Sequence, residues 1–201
     1  MVLDNIRSLS PRKKEILEVA TRLFSQEGYE GASMRQIADE LGIKTASLYS
    51  HYNSKEDMLW EIAVRCAREF HNHILPISKE KTSLEERLRK MVRIHAQVIV
   101  QNIDASAIFF KEWRHLENKD GQQGRRYQYK LLIDIYEKAY IDILEEGIQQ
   151  GIFRKVPVRF MTFTLLSSIN WIQNWYKPTG KMSLDEIAAE FEEYILNGIK
   201  A

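Results

Sequence analysis

Apolar residues recur at three- and four-residue intervals along most of the chain, which is the period of an amphipathic helix, and no stretch alternates long enough for more than a very short strand. The first stripe is Ile16, Leu17, Ala20, Leu23 and Phe24. Ser10 opens it as N-cap with Pro11 at the first helical position, and Gly28 closes it. Ser33 and Gln36 have the spacing of a capping box for a second helix carrying Ile37, Ala38 and Leu41, which Gly42 ends. A short third helix fits Thr45 to Tyr52. Leu48 and Tyr52 fall one turn apart and point inward together, which leaves Thr45, Ala46, Tyr49 and His51 outside.

Ser54 and Asp57 announce a long helix with Met58, Leu59, Ile62, Ala63, Cys66, Ala67, Phe70 and Ile74 inside, closed by Pro76. Ser83 and Glu86 repeat the signature before Leu88, Met91, Val92, His95, Val98 and Ile99. A further helix carries Ile108, Phe109, Trp113 and Leu116, and Asn118 to Gly124 reads as a linker. From Arg125 to Gln150 apolar doublets recur four apart, with Gly151 as C-cap. Val158 to Tyr176 is apolar on two faces: Phe160, Phe163, Ser167 and Trp171 on one, and Met161, Leu165, Ile169, Ile172 and Tyr176 on the other. A helix apolar all round must be covered on both sides, so the second face is the expected dimer interface. Ser183 caps a last amphipathic helix with Ile187, Phe191, Tyr194 and Ile195. The expected fold class is all-α.

Composition narrows the class. Only 4 Pro and 9 Gly occur in 201 residues, and 44% hydrophobic with 28% charged residues suits a globular, soluble chain with a core. A formal net charge of +1 rules out a strongly basic coat, so any nucleic-acid contact depends on a local arrangement of donors. The single cysteine, Cys66, excludes an internal disulfide. No apolar run reaches bilayer length and Met1 to Ser10 lacks a signal-type run, so the expected location is cytoplasmic, with no membrane contact. His71 and His73 are two apart on a helix and point to different faces, while His95 and His115 stand on separate segments. No metal site is expected, no cofactor, and no catalytic nucleophile or phosphate loop.

The first three helices, with a Gly turn between the second and third, have the order of a helix-turn-helix whose third helix enters the DNA major groove. From Leu41 to Lys55 there is no acid, while Lys44, Thr45, Ser47, Tyr49, His51 and Lys55 supply donors for phosphates and base edges. Such geometry also occurs in helical bundles without DNA, and periodicity alone leaves both readings open.

The run Ser33-Met34-Arg35-Gln36-Ile37-Ala38-Asp39-Glu40-Leu41-Gly42-Ile43-Lys44-Thr45-Ala46-Ser47-Leu48-Tyr49-Ser50-His51-Tyr52-Asn53-Ser54-Lys55-Glu56 resembles the DNA-binding signature of the tetracycline-repressor-like (TetR) family. The resemblance implies an all-helical homodimer, with residues 1–55 as the helix-turn-helix domain and residues 56–201 as a larger ligand-sensing and dimerisation domain. Carried onto this chain, Thr45, Ala46, Ser47, Tyr49 and His51 take recognition-helix positions, with Arg35 and Lys44 beside them. Ser33 and Lys55 take phosphate-contacting helix starts. Thr45 stands where a basic residue is common in the family, and Asn53 where Pro is common.

In the second part, Lys111-Glu112-Trp113-Arg114, Arg125-Arg126-Tyr127, Asn170-Trp171 and Trp175-Tyr176-Lys177-Pro178 resemble the branch of that family that regulates fatty-acid and aromatic-acid breakdown and responds to acyl-CoA thioesters. The resemblance implies a small-molecule site with Trp113, Arg114, Asn170 and Trp171, to which helical spacing adds Phe109, Phe110 and Phe163 as aromatics that could line it. The residues themselves allow two readings: aromatics lining a cavity or simply filling the core, and Arg114, Arg125 and Arg126 either gripping CoA phosphates or pairing with Glu112 and Glu117. The expectation is a repressor released from a near-palindromic double-stranded operator by a hydrophobic effector, an acyl-CoA foremost. The alternatives are a multidrug-sensing repressor and an all-helical acyl-binding enzyme or carrier.

Overall fold

The computed structural model describes residues 9–116 and 124–201. Among these the helices are α1 (Pro11–Gly31), α2 (Met34–Glu40), α3 (Thr45–Tyr49), α4 (Lys55–Ser78), α5 (Leu84–Gln101), α6 (Ile103–Lys111), α7 (Arg125–Gln149), α8 (Val158–Asn170) and α9 (Leu184–Ile199). Single 3-10 turns follow α6 (Trp113–His115) and α8 (Trp171–Asn174). The one β element among the described residues is an isolated bridge between Phe153 and Lys200. The class is all-α, as expected. The linker expected from Asn118 lies outside the described residues up to Gly124, as do the first residues of the chain.

The helix starts follow the capping chemistry. The Ser10, Ser33, Ser83 and Ser183 hydroxyls accept backbone N–H groups three residues on, and only Ser183 with Glu186 completes the reciprocal box. At Ser33 the box is incomplete because Gln36 Oε1 accepts the Ser33 hydroxyl at 2.8 Å rather than the Ser33 backbone N–H, while Gln36 Nε2 donates to Glu27 Oε2 at 2.9 Å. Gly28 takes φ 77°, a left-handed conformation that breaks α1 where expected, although a further turn runs on to Gly31. Pro76 does not end its helix: α4 continues to Ser78, with one ladder donor lost. The segment expected as one helix to Tyr176 tightens at Trp171 into the 3-10 turn.

The chain packs as two compact units. One comprises the described residues of Met1–Arg68 and Asp104–Leu132, the other Glu69–Ile103 and Ile133–Ala201. Thus α6 and the start of α7 pack in one unit with the first three helices. The first unit buries Ile16, Ala20 and Phe24 of α1, Ile37 of α2, Leu48 of α3 and Met58 of α4. In the second, α5 packs chiefly on α9. That contact is partly ionic: the buried Glu192 carboxylate lies 2.6 Å from Arg93 Nε and 3.4 Å from Arg89 Nη1. Gly147 is required in α7 because a Cβ there would lie 2.0 Å from the buried Phe153 ring.

Candidate nucleic-acid interface and effector site

The short α3 turns one side inward and the rest outward. Leu48 and Tyr52 are buried, as the one-turn spacing predicts, while Lys44, Ala46, Ser47 and Tyr49 are exposed and Thr45 and His51 half-buried. Tyr49 leaves 49% of its surface open although it is aromatic, in a stretch without acids. Tyr52, beneath it, is different. Burial, reinforced by Glu61, pushes its phenol up to about 12, so it stays neutral. Arg35 is exposed on α2 beside Asp39 at 3.7 Å, and the exposed Ser33 caps α2.

Lys55 has a further task. Its ammonium donates to the carbonyl oxygens of Tyr29 at 2.6 Å and Ala32 at 2.9 Å, and sits 4.3 Å from the centre of the Tyr29 ring. It satisfies carbonyls left open where α1 breaks. At the same helix start, Asp57 Oδ2 accepts the Asn53 N–H at 3.1 Å while its Oδ1 accepts Arg125 Nη2 at 2.5 Å. The turn after α3 is thereby tied to the first residue of α7, 68 positions away.

The arginines expected to act together have separate roles. Arg125 is committed to Asp57 and lies 3.7 Å from Glu56. Arg114 and Arg126 instead flank one indole, their guanidinium carbons 6.0 and 5.0 Å from the Trp113 ring centre. Trp113 stacks nearly parallel on buried Tyr129, whose hydroxyl donates to the Phe109 carbonyl. Phe109 itself is buried and packs against Phe110 and Tyr129, so in its unit it belongs to the core. Glu112 faces His115 rather than an arginine, at 3.3 Å, and the other ring nitrogen of His115 lies 3.0 Å from Glu30. The His115 ring also packs on Tyr29. Glu117 lies outside the described residues.

In the second unit a polar cluster is sealed inside. His95 Nε2 lies 2.7 Å from Asn170 Oδ1, so that nitrogen carries the proton and Nδ1 accepts from the Tyr136 hydroxyl at 2.5 Å. The Tyr140 hydroxyl donates to the Met91 carbonyl, and His71 stacks on Tyr136. Burial pushes the His95 imidazole down to about 4, against the pull of Asn170, and raises both tyrosines. Asn170 is thus joined to His95, which periodicity had marked only as a core position. The spacing of 75 residues gave no signal of it.

The two apolar faces of the segment from α8 to Tyr176 are buried to different extents. Of the residues expected at the dimer interface, Leu165, Ile169 and Ile172 are buried within their own unit, and Met161 and Tyr176 are half-buried. Phe163 and Trp171, expected to line a cavity, are 48% and 64% exposed, with Phe160 and Tyr194 more exposed still. Periodicity reveals two apolar faces but not which of them the chain's own helices cover. Among the described residues no group of His, Cys, Asp or Glu could hold a metal, and no helix is long and apolar enough to cross a membrane. Cys66 is buried, 3.9 Å from Ser106 Oγ.

Known proteins share both the sequence and the architecture. The profile described as "Bacterial regulatory proteins, tetR family" matches residues 16–62, and "Tetracyclin repressor-like, C-terminal domain" matches residues 81–199. The transcriptional repressor KstR2 of Rhodococcus jostii is 27% identical over 198 residues, 98% of this chain and 95% of that protein. The structure of the ketosteroid transcriptional regulator KstR2 of Mycobacterium tuberculosis superposes with a TM-score of 0.87 at 25% identity, over 96% of this chain and 97% of that one. AibR, solved with isovaleryl coenzyme A and operator DNA, superposes with a TM-score of 0.82 at 27% identity, over 91% of this chain and 97% of that one. The chain therefore belongs to the tetracycline-repressor-like (TetR) family, as a homodimeric, ligand-responsive, DNA-binding transcriptional regulator and not an enzyme.

Proposed function

We propose that this regulator is a cytoplasmic repressor released from a near-palindromic operator by the CoA thioester of a hydrophobic organic acid. Residues 1–55 read DNA, through Thr45, Ala46, Ser47, Tyr49 and His51 at the groove and Ser33, Arg35 and Lys44 at the backbone. A dimer sets two such helices about 34 to 36 Å apart, in successive major grooves. The observation that carries the effector reading is the likeness, over nearly the whole chain, to AibR, a protein solved with both an acyl-CoA and operator DNA.

The exposed aromatics of α8, the 3-10 turn after it and α9, Phe160, Phe163, Trp171 and Tyr194, form the surface that a second copy covers. Exposed apolar area of this kind is otherwise an aggregation hazard. Acyl burial supplies affinity at roughly 0.8 kcal/mol per methylene until the site is full. Acyl-CoAs of increasing chain length should release the protein from DNA flanking its own gene in that order, with free CoA and the free acids much weaker. Release by an uncharged or cationic drug-like compound, with no response to any acyl-CoA, would make it a multidrug sensor instead.

A further inference from the structure

Most arginines of this chain face a carboxylate: Arg12, Arg22, Arg35, Arg65, Arg87, Arg89, Arg93 and Arg125 all do. Arg114 and Arg126 face none among the described residues, although both guanidiniums are held on one indole. Two guanidiniums placed on one ring with no carboxylate facing either are left without an ionic partner, which the indole offsets only in part. The indole is itself fixed, because Tyr129 stacks on it and is locked by its bond to Phe109. A rigid aromatic plate carrying two forked donors matches the oxygen geometry of phosphate groups.

The two arginines have a second property in common. The residue next to each holds a neighbour of the recognition helix: His115, after Arg114, contacts Tyr29 and Glu30 at the end of α1, and Arg125, before Arg126, holds Asp57 in the first turn of α4, whose other oxygen accepts the Asn53 N–H in the turn after α3. We propose that Trp113, Arg114 and Arg126 bind a phosphate-bearing anion, and that its binding reaches the recognition helix through these two adjoining clamps. Drawing the guanidiniums onto the anion moves the backbone of the 3-10 turn and of the first turn of α7, and with it both grips. The proposal deepens the acyl-CoA reading, on which its biological role rests, by assigning the phosphate end of the ligand and its route to DNA.

The probe is adenosine 3′,5′-bisphosphate, which carries phosphates and no acyl chain. Titrated into the full-length protein and followed by tryptophan fluorescence, it should bind with an affinity that falls as salt rises. The Arg114→Gln/Arg126→Gln double variant should lose about tenfold or more in that affinity at an unchanged melting temperature and unchanged operator affinity. His115→Ala should still bind the probe and acyl-CoA but should need more acyl-CoA to leave the operator. Equal binding of the probe by wild type and double variant, or none by wild type, overturns the site. Unchanged release in His115→Ala together with Arg125→Lys overturns the route. If acyl-CoAs release both wild type and double variant alike, the site fails while the acyl-CoA reading stands. If no acyl-CoA acts but the probe binds through the arginines, the reverse holds.

Discussion

The ammonium of Lys55 donates to the carbonyl oxygen of Tyr29 at 2.6 Å and rests 4.3 Å from the centre of the same residue's ring, so the first residue of α4 is bolted to the broken end of α1. The family resemblance made Lys55 a phosphate contact, and the geometry adds a structural role. Lys55→Met should lower stability by about 2 kcal/mol, the scale of charge-assisted hydrogen bonds, and should weaken operator and non-operator DNA alike. Chemical denaturation and anisotropy with the two DNAs test this. An unchanged midpoint would reduce Lys55 to a surface charge.

Tyr49 behaves in the opposite way. Half of its surface is open, so Tyr49→Ala should leave the denaturation midpoint nearly unchanged while weakening operator binding by about 1 to 3 kcal/mol. A large loss of stability would make it a core residue.

His95 gives the fold a defined acid limit. Its folded imidazole is pushed down to about 4 from an ordinary 6.5, so between those values the unfolded chain takes up a proton that the native state refuses. Above pH 6.5 both states are neutral at this site and it contributes no slope. As the pH falls from 6.5 to 4, stability should drop by about 3 kcal/mol in total, and His95→Gln should remove that part of the slope. Urea titrations across this range decide it. Identical slopes in variant and wild type would place the acid sensitivity elsewhere.

The faces of α8 make opposite predictions for similar substitutions. Ile169→Glu puts a carboxylate into a fully buried site and should unfold the second unit, at a cost of several kcal/mol. Trp171→Glu changes an exposed position and should leave a folded monomer with weakened operator binding. Sedimentation and circular dichroism separate these outcomes. A folded dimer of Trp171→Glu would move the interface off this surface.

The all-α class, the helix starts at Ser10, Ser33, Ser83 and Ser183, the break at Gly28 and the inward pair Leu48 and Tyr52 were all legible in the sequence. Capping and helical periodicity act over three or four residues, so a linear reading contains every partner they need. The DNA-reading segment was legible through its resemblance to the family's signature, which one continuous run from Ser33 to Glu56 carries. Which face of α8 is core, why Arg125 is spent on Asp57 while Arg126 stays on Trp113, and how His95 meets Tyr136 and Asn170 were decided only by the tertiary structure. Those pairings join residues tens of positions apart. Whether a polar group buried there is tolerated depends on the partner that packing brings to it, and no local pattern carries that information.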